Sequence, residues 1–396
     1  MTKKTTRSKK HFSLDIARDI AEYYGFLPLA EAMKGEGRME GRTKIPETPF
    51  TRPALIEWLL THAPNSFNSP LLLYRMEAPS KEKSGFPCFA MEIFGVPRSV
   101  AEAVLFQISS AILREAGYED FLFEVNSLGD RESIAKFQRE FNIYYKNRAE
   151  EVPGHCRNNL KKDVFKVLAC SNDRCMLIKE GAPKPISCLS EGSRTNFTEV
   201  LNFLEGMKHS YRINDCLVGG KDFYTKTVFE IITEREVSVS SKKGETKQLE
   251  RGSLAKGGRY DDLSKKLGHK REIPAVGITL LFEGREATPY KNSNLKTSSR
   301  KHPVASLVQV GFEAKLKSLE ALEILRHAKI PLEHSLLRER LSAQMGGAEK
   351  LGAAFLIIIG QKEAMEHAAI IRDKESRSQE TIPIERLPQY LKKGHL

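Results

Sequence analysis

Residues 287–302 (ATPYKNSNLKTSSRKH) are polar and basic, hold no Asp or Glu, and follow neither a helical nor a strand period. A stretch with so little apolar surface has no place in a packed interior and predicts a linker. It commits the chain to two cores, one from 11–286 and one from 303–396, with residues 1–10 as a basic disordered arm. Beyond the linker the texture becomes alternating. Val304–Val310 predicts a strand, Phe312–Ala328 a helix and Ile330–Ser335 a strand. Arg338–Leu351 predicts a helix ended by Gly352, Ala354–Ile359 and Ala368–Asp373 strands, and Ile384–Lys393 a last helix. Strand–helix alternation over about 90 residues describes a small α/β unit with a mostly parallel sheet.

Before the linker the pattern is mixed. A helix is expected from His11 to Tyr24, with Phe12, Ile16, Ile20 and Tyr23 at helical spacing and Gly25 behind it. The runs Leu71–Tyr74 and Cys88–Phe94 predict strands, and 99–117 a long amphipathic helix closed at Gly117. From Asn126 to Ser210 the chain turns helical, Lys- and Arg-rich, and holds Cys156, Cys170, Cys175 and Cys188, which predicts an inserted subdomain at 126–210. β-Branched and aromatic residues return from Cys216 to Ser240, and Ser241–Glu245 predicts a hairpin turn. Gly257-Gly258-Arg259-Tyr260 is expected to begin a further segment, and Pro274–Phe282 a core strand or buried helix.

Composition narrows the function classes. With 40% hydrophobic residues, and Ala353–Ile359 as its longest apolar run, the chain offers nothing near the ~20 residues of a membrane span. The basic N-terminus has no apolar segment behind it, so no secretory signal and a cytoplasmic location are expected. Six cysteines in 396 residues are too few for a disulfide scaffold. Cys156, Cys170, Cys175 and Cys188 could supply four thiolates to zinc, but no pair has the two-residue gap of a zinc ribbon. Buried or incidental cysteines, and no metal, are the expectation. The net charge is +12, and residues 291–396 carry 18 Lys and Arg against 12 Asp and Glu. Half the excess thus sits in about a quarter of the chain, which favours a nucleic-acid surface there.

Several segments, in order, resemble histidyl-tRNA synthetases, class II enzymes that join histidine to its tRNA through histidyl-adenylate. Val125-Asn126-Ser127-Leu128-Gly129 resembles the start of the family's insertion, and Phe223 to Glu230 its histidine loop and following strand. Gly257-Gly258-Arg259-Tyr260-Asp261 resembles its glycine-rich turn and Pro274-Ala275-Val276-Gly277 the start of its third motif. Leu341-Ser342-Ala343-Gln344, Ala348 to Ala353 and Ile358-Ile359-Gly360 resemble its anticodon-binding domain. The resemblance implies an α+β class II catalytic domain, an antiparallel sheet of six or seven strands flanked by helices, with a helical insertion and a C-terminal α/β anticodon-binding domain. It also implies a homodimer, ATP with magnesium as co-substrate, and tRNA(His) as partner.

Carried over by resemblance, Arg75 holds the α-phosphate of ATP, Lys83 adds a second phosphate contact, and Glu92, Asp222 and Tyr224 hold histidine. Arg338, Arg340, Gln344 and Lys350 fall on one predicted helix and are assigned to tRNA, with a solvated helix face as the plainer alternative. Other family positions are substituted. The arginine before the histidine loop is Gly219, with Lys221 nearby, and the arginine ending the third motif is Gly284, with Arg285 one place late. One residue on a helix is a turn of ~100°. The family's Arg-Pro-Glu-x-Thr, whose acid and hydroxyl hold the α-amino group, reads Arg52-Pro53-Ala54-Leu55-Ile56, and its amino-binding glutamine is Cys88. Adenylate formation brings two anions together, and losing one preorganised charge costs ~3 kcal/mol, or ~10²–10³ in rate. Ala54, Ile56, Cys88, Gly219 and Gly284 together therefore predict a tRNA-binding synthetase-like protein with impaired histidine activation. The alternatives are an active histidine–tRNA ligase with a divergent site, and a histidine-sensing regulatory paralogue, against which the C-terminal unit counts.

Overall fold

A computed structural model describes residues 13–35, 51–62, 69–77, 87–160, 162–219, 223–241, 244–282 and 303–393. The strands of the larger sheet are β1 (Leu27–Pro28), β2 (Leu71–Glu77), β3 (Cys88–Phe94), β4 (Leu122–Ser127), β5 (Tyr211–Ile213), β6 (Thr225–Ser241), β7 (Gly244–Arg259) and β8 (Ala275–Leu281). They lie in the order β1-β2-β3-β8-β7-β6-β4-β5. The interior pairs are antiparallel, while the outer pairs β1/β2 and β4/β5 run parallel. Among the described residues the sheet is thus mixed and eight-stranded, two short parallel edges having been added to the antiparallel core expected.

β3 explains the layering. Apolar residues occur at both parities, so both faces must be covered. Phe89, Met91 and Ile93 pack with Tyr74 beneath the helices Leu14–Tyr23, Val100–Glu115 and Glu191–Gly206. On the other face Phe94 and Leu73 join Tyr224, Val228, Tyr260 and Ala275, roofed by Leu55, Ile56 and Leu59 of the helix Arg52–His62. Glu92 is the one carboxylate in this strand and is only 6% exposed. It stands opposite Leu73 on β2 and Gly277 on β8.

Two local expectations change. Gly257 and Gly258 end β7 rather than starting a new segment. Their glycines answer to close packing: a Cβ on Gly257 would meet the Phe229 ring at 2.3 Å and the Gly277 carbonyl oxygen at 2.4 Å. The strand expected from Cys216 begins only at Thr225, because 214–219 turn away from the edge strand β5. Pro274–Phe282 resolves as strand β8.

The second sheet contains β9 (Ala305–Gln309), β10 (Leu332–His334), β11 (Phe355–Ile359), β12 (Ala368–Asp373) and β13 (Gln379–Pro383), in the order β10-β9-β11-β12-β13. Its first pairs are parallel and the β11/β12 and β12/β13 pairs antiparallel. β13 and the short helix Gln361–Met365 were not legible, since neither has room for a period. This unit rests on the helix layer of the larger sheet. Phe312 packs its ring on Phe203 at 4.5 Å, Tyr23 Oη donates to the Ile330 carbonyl at 3.1 Å, and Tyr24 Oη donates to Glu323 at 3.0 Å.

His209 lies beneath the same layer, 7% exposed, with Nε2 3.2 Å from Ser110 Oγ. Burial, aided by the Arg114 charge, lowers its pKa from 6.5 to about 4. A depressed histidine contributes stability that is complete above the unfolded pKa and is lost as pH falls from 6.5 toward 4. About 2 kcal/mol of unfolding free energy should disappear between pH 7 and 5 through this residue. Urea midpoints of the native chain and of His209→Gln at the two pH values check it: the variant should lose most of the slope.

Candidate active site

The roof helix brings Arg52 over β3. Its Nε lies 2.9 Å from Glu92 Oε1 and donates to Oε2 at 3.1 Å, and its Nη1 donates to Tyr224 Oη at 2.9 Å. Tyr260 Oη donates to Glu92 Oε2 at 2.5 Å. The guanidinium carbon sits 5.8 Å from the Tyr224 ring centre and 5.5 Å from that of Tyr260, within cation–π range. Gly277 makes this possible, because a Cβ there would stand 1.5 Å from Glu92 Oε2. Burial opposes the Arg52 charge, but Glu92 and the two tyrosines outweigh it and raise its pKa. Burial first, and Glu92 second, push the Tyr260 hydroxyl well above its ordinary range. The result is a cage of a carboxylate, a guanidinium and two phenols that satisfy one another, except for Arg52 Nη2, which is buried without a partner among the described residues.

Arg75 lies on β2 opposite Ala90, two residues along from Leu73, so it shares the Glu92 face about 7 Å away along the strand. Cys88 begins β3 on that face, opposite Glu77 and Leu281. Ile56 is fully buried among Leu55 and Leu59, so this position is a core contact. Ala54 is half-buried on the same helix. Gly219 has φ +73, and a Cβ on it would strike the Tyr224 ring at 2.4 Å. Any longer side chain at 219 needs a different course of this loop. Lys83, Lys221, Asp222, Gly284 and Arg285 lie outside the described residues.

Behind the cage a second charged group is sealed off. Arg259 is fully buried, donating to Glu102 at 2.8 and 2.5 Å, to Asp261 at 3.2 Å, and to the carbonyls of Val96 and Arg98. A cleft of about 270 Å³ opens beyond Asp261, lined by three ion pairs, Lys226 with Asp261 at 2.6 Å, Arg131 with Asp262 at 2.7 Å and Lys265 with Glu272 at 2.5 Å, and by the carboxylates of Asp130 and Glu132.

The four residues assigned to tRNA separate. Arg338, Arg340 and Lys350 are exposed. The helix begins only at Leu341, with Arg340 at its N-cap, so Arg338 and Arg340 precede it. Gln344 is corrected: it is fully buried, accepts from Gln309 N at 2.9 Å and donates to the carbonyls of Gln309 and Arg338. It ties the helix to β9 and offers no atom to a nucleic acid. Residues missed in the sequence are Arg52, Tyr260 and the Arg259–Glu102 pair. Glu102, alone among the apolar residues of Val100–Leu105, was the available signal.

Residues 305–394 match the family described as "Anticodon binding domain". The histidine–tRNA ligase of Fervidobacterium nodosum is 31% identical over 309 residues, covering 78% of this chain and 70% of that protein. The histidine–tRNA ligase of Lysinibacillus sphaericus is 26% identical over 326 residues, covering 82% of this chain and 74% of its own length. The apo histidyl-tRNA synthetase structure from S. aureus superposes with a TM-score of 0.50 at 21% identity, covering 96% of this chain and 94% of that one. Among the described residues no helix is long and apolar enough to cross a membrane.

Proposed function

We propose, from the premise that this chain belongs to the histidyl-tRNA synthetase family, that it binds tRNA through its C-terminal unit while its histidine activation is impaired. The observation carrying this reading is the Arg52–Glu92 pair. Glu92 is the residue that resemblance makes the acceptor for the imidazole N–H, and here it already accepts from Arg52 and Tyr260. An ionised carboxylate can accept about four hydrogen bonds, so Glu92 keeps spare lone pairs, but an incoming imidazole must share it with the Arg52 charge and the Tyr260 hydroxyl. On the phosphate side Arg75, on β2, is the position that the resemblance assigns to the α-phosphate of ATP, supplied as its magnesium complex. Gly219 lacks a guanidinium, and its backbone leaves no room for one in this conformation. Ala54 and Ile56 offer no group to an α-ammonium. A homodimer acting on tRNA(His) in the cytoplasm completes the proposal.

An active ligase is the second reading, favoured by the named activity of its relatives. In that case histidine displaces Arg52. Histidine-dependent ATP–pyrophosphate exchange, run beside the Fervidobacterium relative, separates the two. We expect a rate lower by at least ~10²–10³, the order expected for one missing transition-state charge. Exchange within about tenfold of the relative would overturn the impairment. Filter binding of tRNA(His) across a salt series tests the partner. Affinity should fall steeply with salt as Arg338, Arg340, Lys350 and their neighbours release counterions. Affinity unmoved by salt removes the tRNA surface.

A further inference from the structure

The helical insertion gathers His155, Cys156, Cys170 and Cys175, and we infer that these four side chains form a structural zinc site. Their ligand atoms all lie within 4.8 Å of one another. Cys156 Sγ is 3.1 Å from Cys175 Sγ, and Cys170 Sγ is 3.5 Å from His155 Nε2. Tetrahedral zinc with ~2.3 Å bonds to sulfur and ~2.0 Å to nitrogen has edges of about 3.5–3.8 Å, so the set needs only small side-chain adjustments to close on an ion. A Cys₃His set with no position left open is the pattern of a structural site.

Three pieces of chain converge to make it. His155 and Cys156 open the helix Gly154–Leu160, and Cys170 stands in the link after Val164–Leu168. Cys175 occupies the first turn of Asp173–Glu180, where free backbone N–H groups favour a thiolate. Asn172 caps that turn by accepting from Arg174 N, and Lys179 Nζ donates to the carbonyls of Leu168 and Cys170, fixing the Cys170 corner. Cys156 and Cys175 are buried, Cys170 half-buried and His155 exposed, so an ion can arrive from the histidine side.

A second observation points to the same ion. Among the described residues Tyr145 Oη is buried without a hydrogen-bond partner, and its electrostatic neighbours are Cys175, Tyr144, Cys156 and Cys216. A thiol is a weak acceptor, whereas a zinc-bound thiolate is a strong one. Loading the site would give this phenol its acceptor.

The spacing alone pointed to a different fourth ligand. Cys188 lies apart and donates to Glu140 at 3.3 Å, while His155, adjacent to Cys156, takes the fourth place. Binding converts three thiols to thiolates and releases their protons to solvent, with no change of oxidation state. The ion would pin together the three short helices Gly154–Leu160, Val164–Leu168 and Asp173–Glu180.

The full chain, purified under reducing conditions without chelators, should contain one zinc per chain by elemental analysis. Cobalt substituted for it should show the visible ligand-field bands of a tetrahedral thiolate site. Cys170→Ser and His155→Ala should lose the metal or bind it far more weakly, while Cys188→Ser keeps it. Tyr145→Phe should weaken zinc about 10–100-fold in a chelator competition. Should ligand variants misfold, the cobalt spectrum of the native chain still decides. Absence of zinc after reconstitution, a Cys156–Cys175 disulfide in the intact mass, or equal metal loss in Cys188→Ser would each overturn the site.

Discussion

Arg259→Ala is expected to cost about 3–5 kcal/mol of unfolding free energy, read as a large fall in the urea midpoint. Arg259 and Glu102 are each fully buried, and the guanidinium also holds Asp261 and the carbonyls of Val96 and Arg98. Removing the cation leaves Glu102 charged in an apolar layer with nothing to neutralise it. Most of the penalty belongs to that orphaned carboxylate, so Arg259→Met combined with Glu102→Leu should recover much of the loss. A cost below about 1 kcal/mol for Arg259→Ala would mean that water reaches Glu102 and that this layer is not sealed.

Arg52→Ala should be the second large effect, in both stability and ligand response. The substitution removes the partner of a carboxylate that is 6% exposed, and a loss of about 3–5 kcal/mol follows by the same physics. It also leaves a cation-shaped hole bounded by Glu92, Tyr224 and Tyr260. Methylguanidinium or imidazolium, added at millimolar concentration, should raise the melting temperature of Arg52→Ala and leave the native chain unmoved. If native and variant proteins respond equally, Arg52 does not fill the site, and the argument for impaired histidine binding falls with it. Pyrophosphate exchange should stay low in the variant even after rescue, because Gly219 and Ala54 are unchanged.

The two effects rest on residues of unequal legibility. Glu92 stands out in a run otherwise made of apolar residues and Cys88, and Gly257-Gly258-Arg259-Tyr260-Asp261 is visible as a motif. What joins them is not. Arg52 reaches Glu92 across 40 residues of chain, and Arg259 reaches Glu102 across 157. No local period encodes such a distance. Gln344 shows the opposite error: a polar residue on a polar-looking helix reads as surface, yet the helix lies against β9 and buries it.

The amino-acid sequence by itself made legible the alternating C-terminal unit, the cysteine-rich helices after Asn126 and the positions where the resemblance meets another residue, because each is a property of residue type and near-neighbour spacing, while the arm expected at 1–10 and the linker expected at 287–302 lie outside the described residues. Tertiary structure alone decided that Arg52 closes on Glu92, that Gly219 sits against the Tyr224 ring, and that His155 rather than Cys188 joins Cys156, Cys170 and Cys175. The physical reason is that charge pairing and ligand clustering depend on separation in space. Only the packing of helix on sheet brings distant parts of the chain within 3–5 Å, about the range of a hydrogen bond or a shared ion.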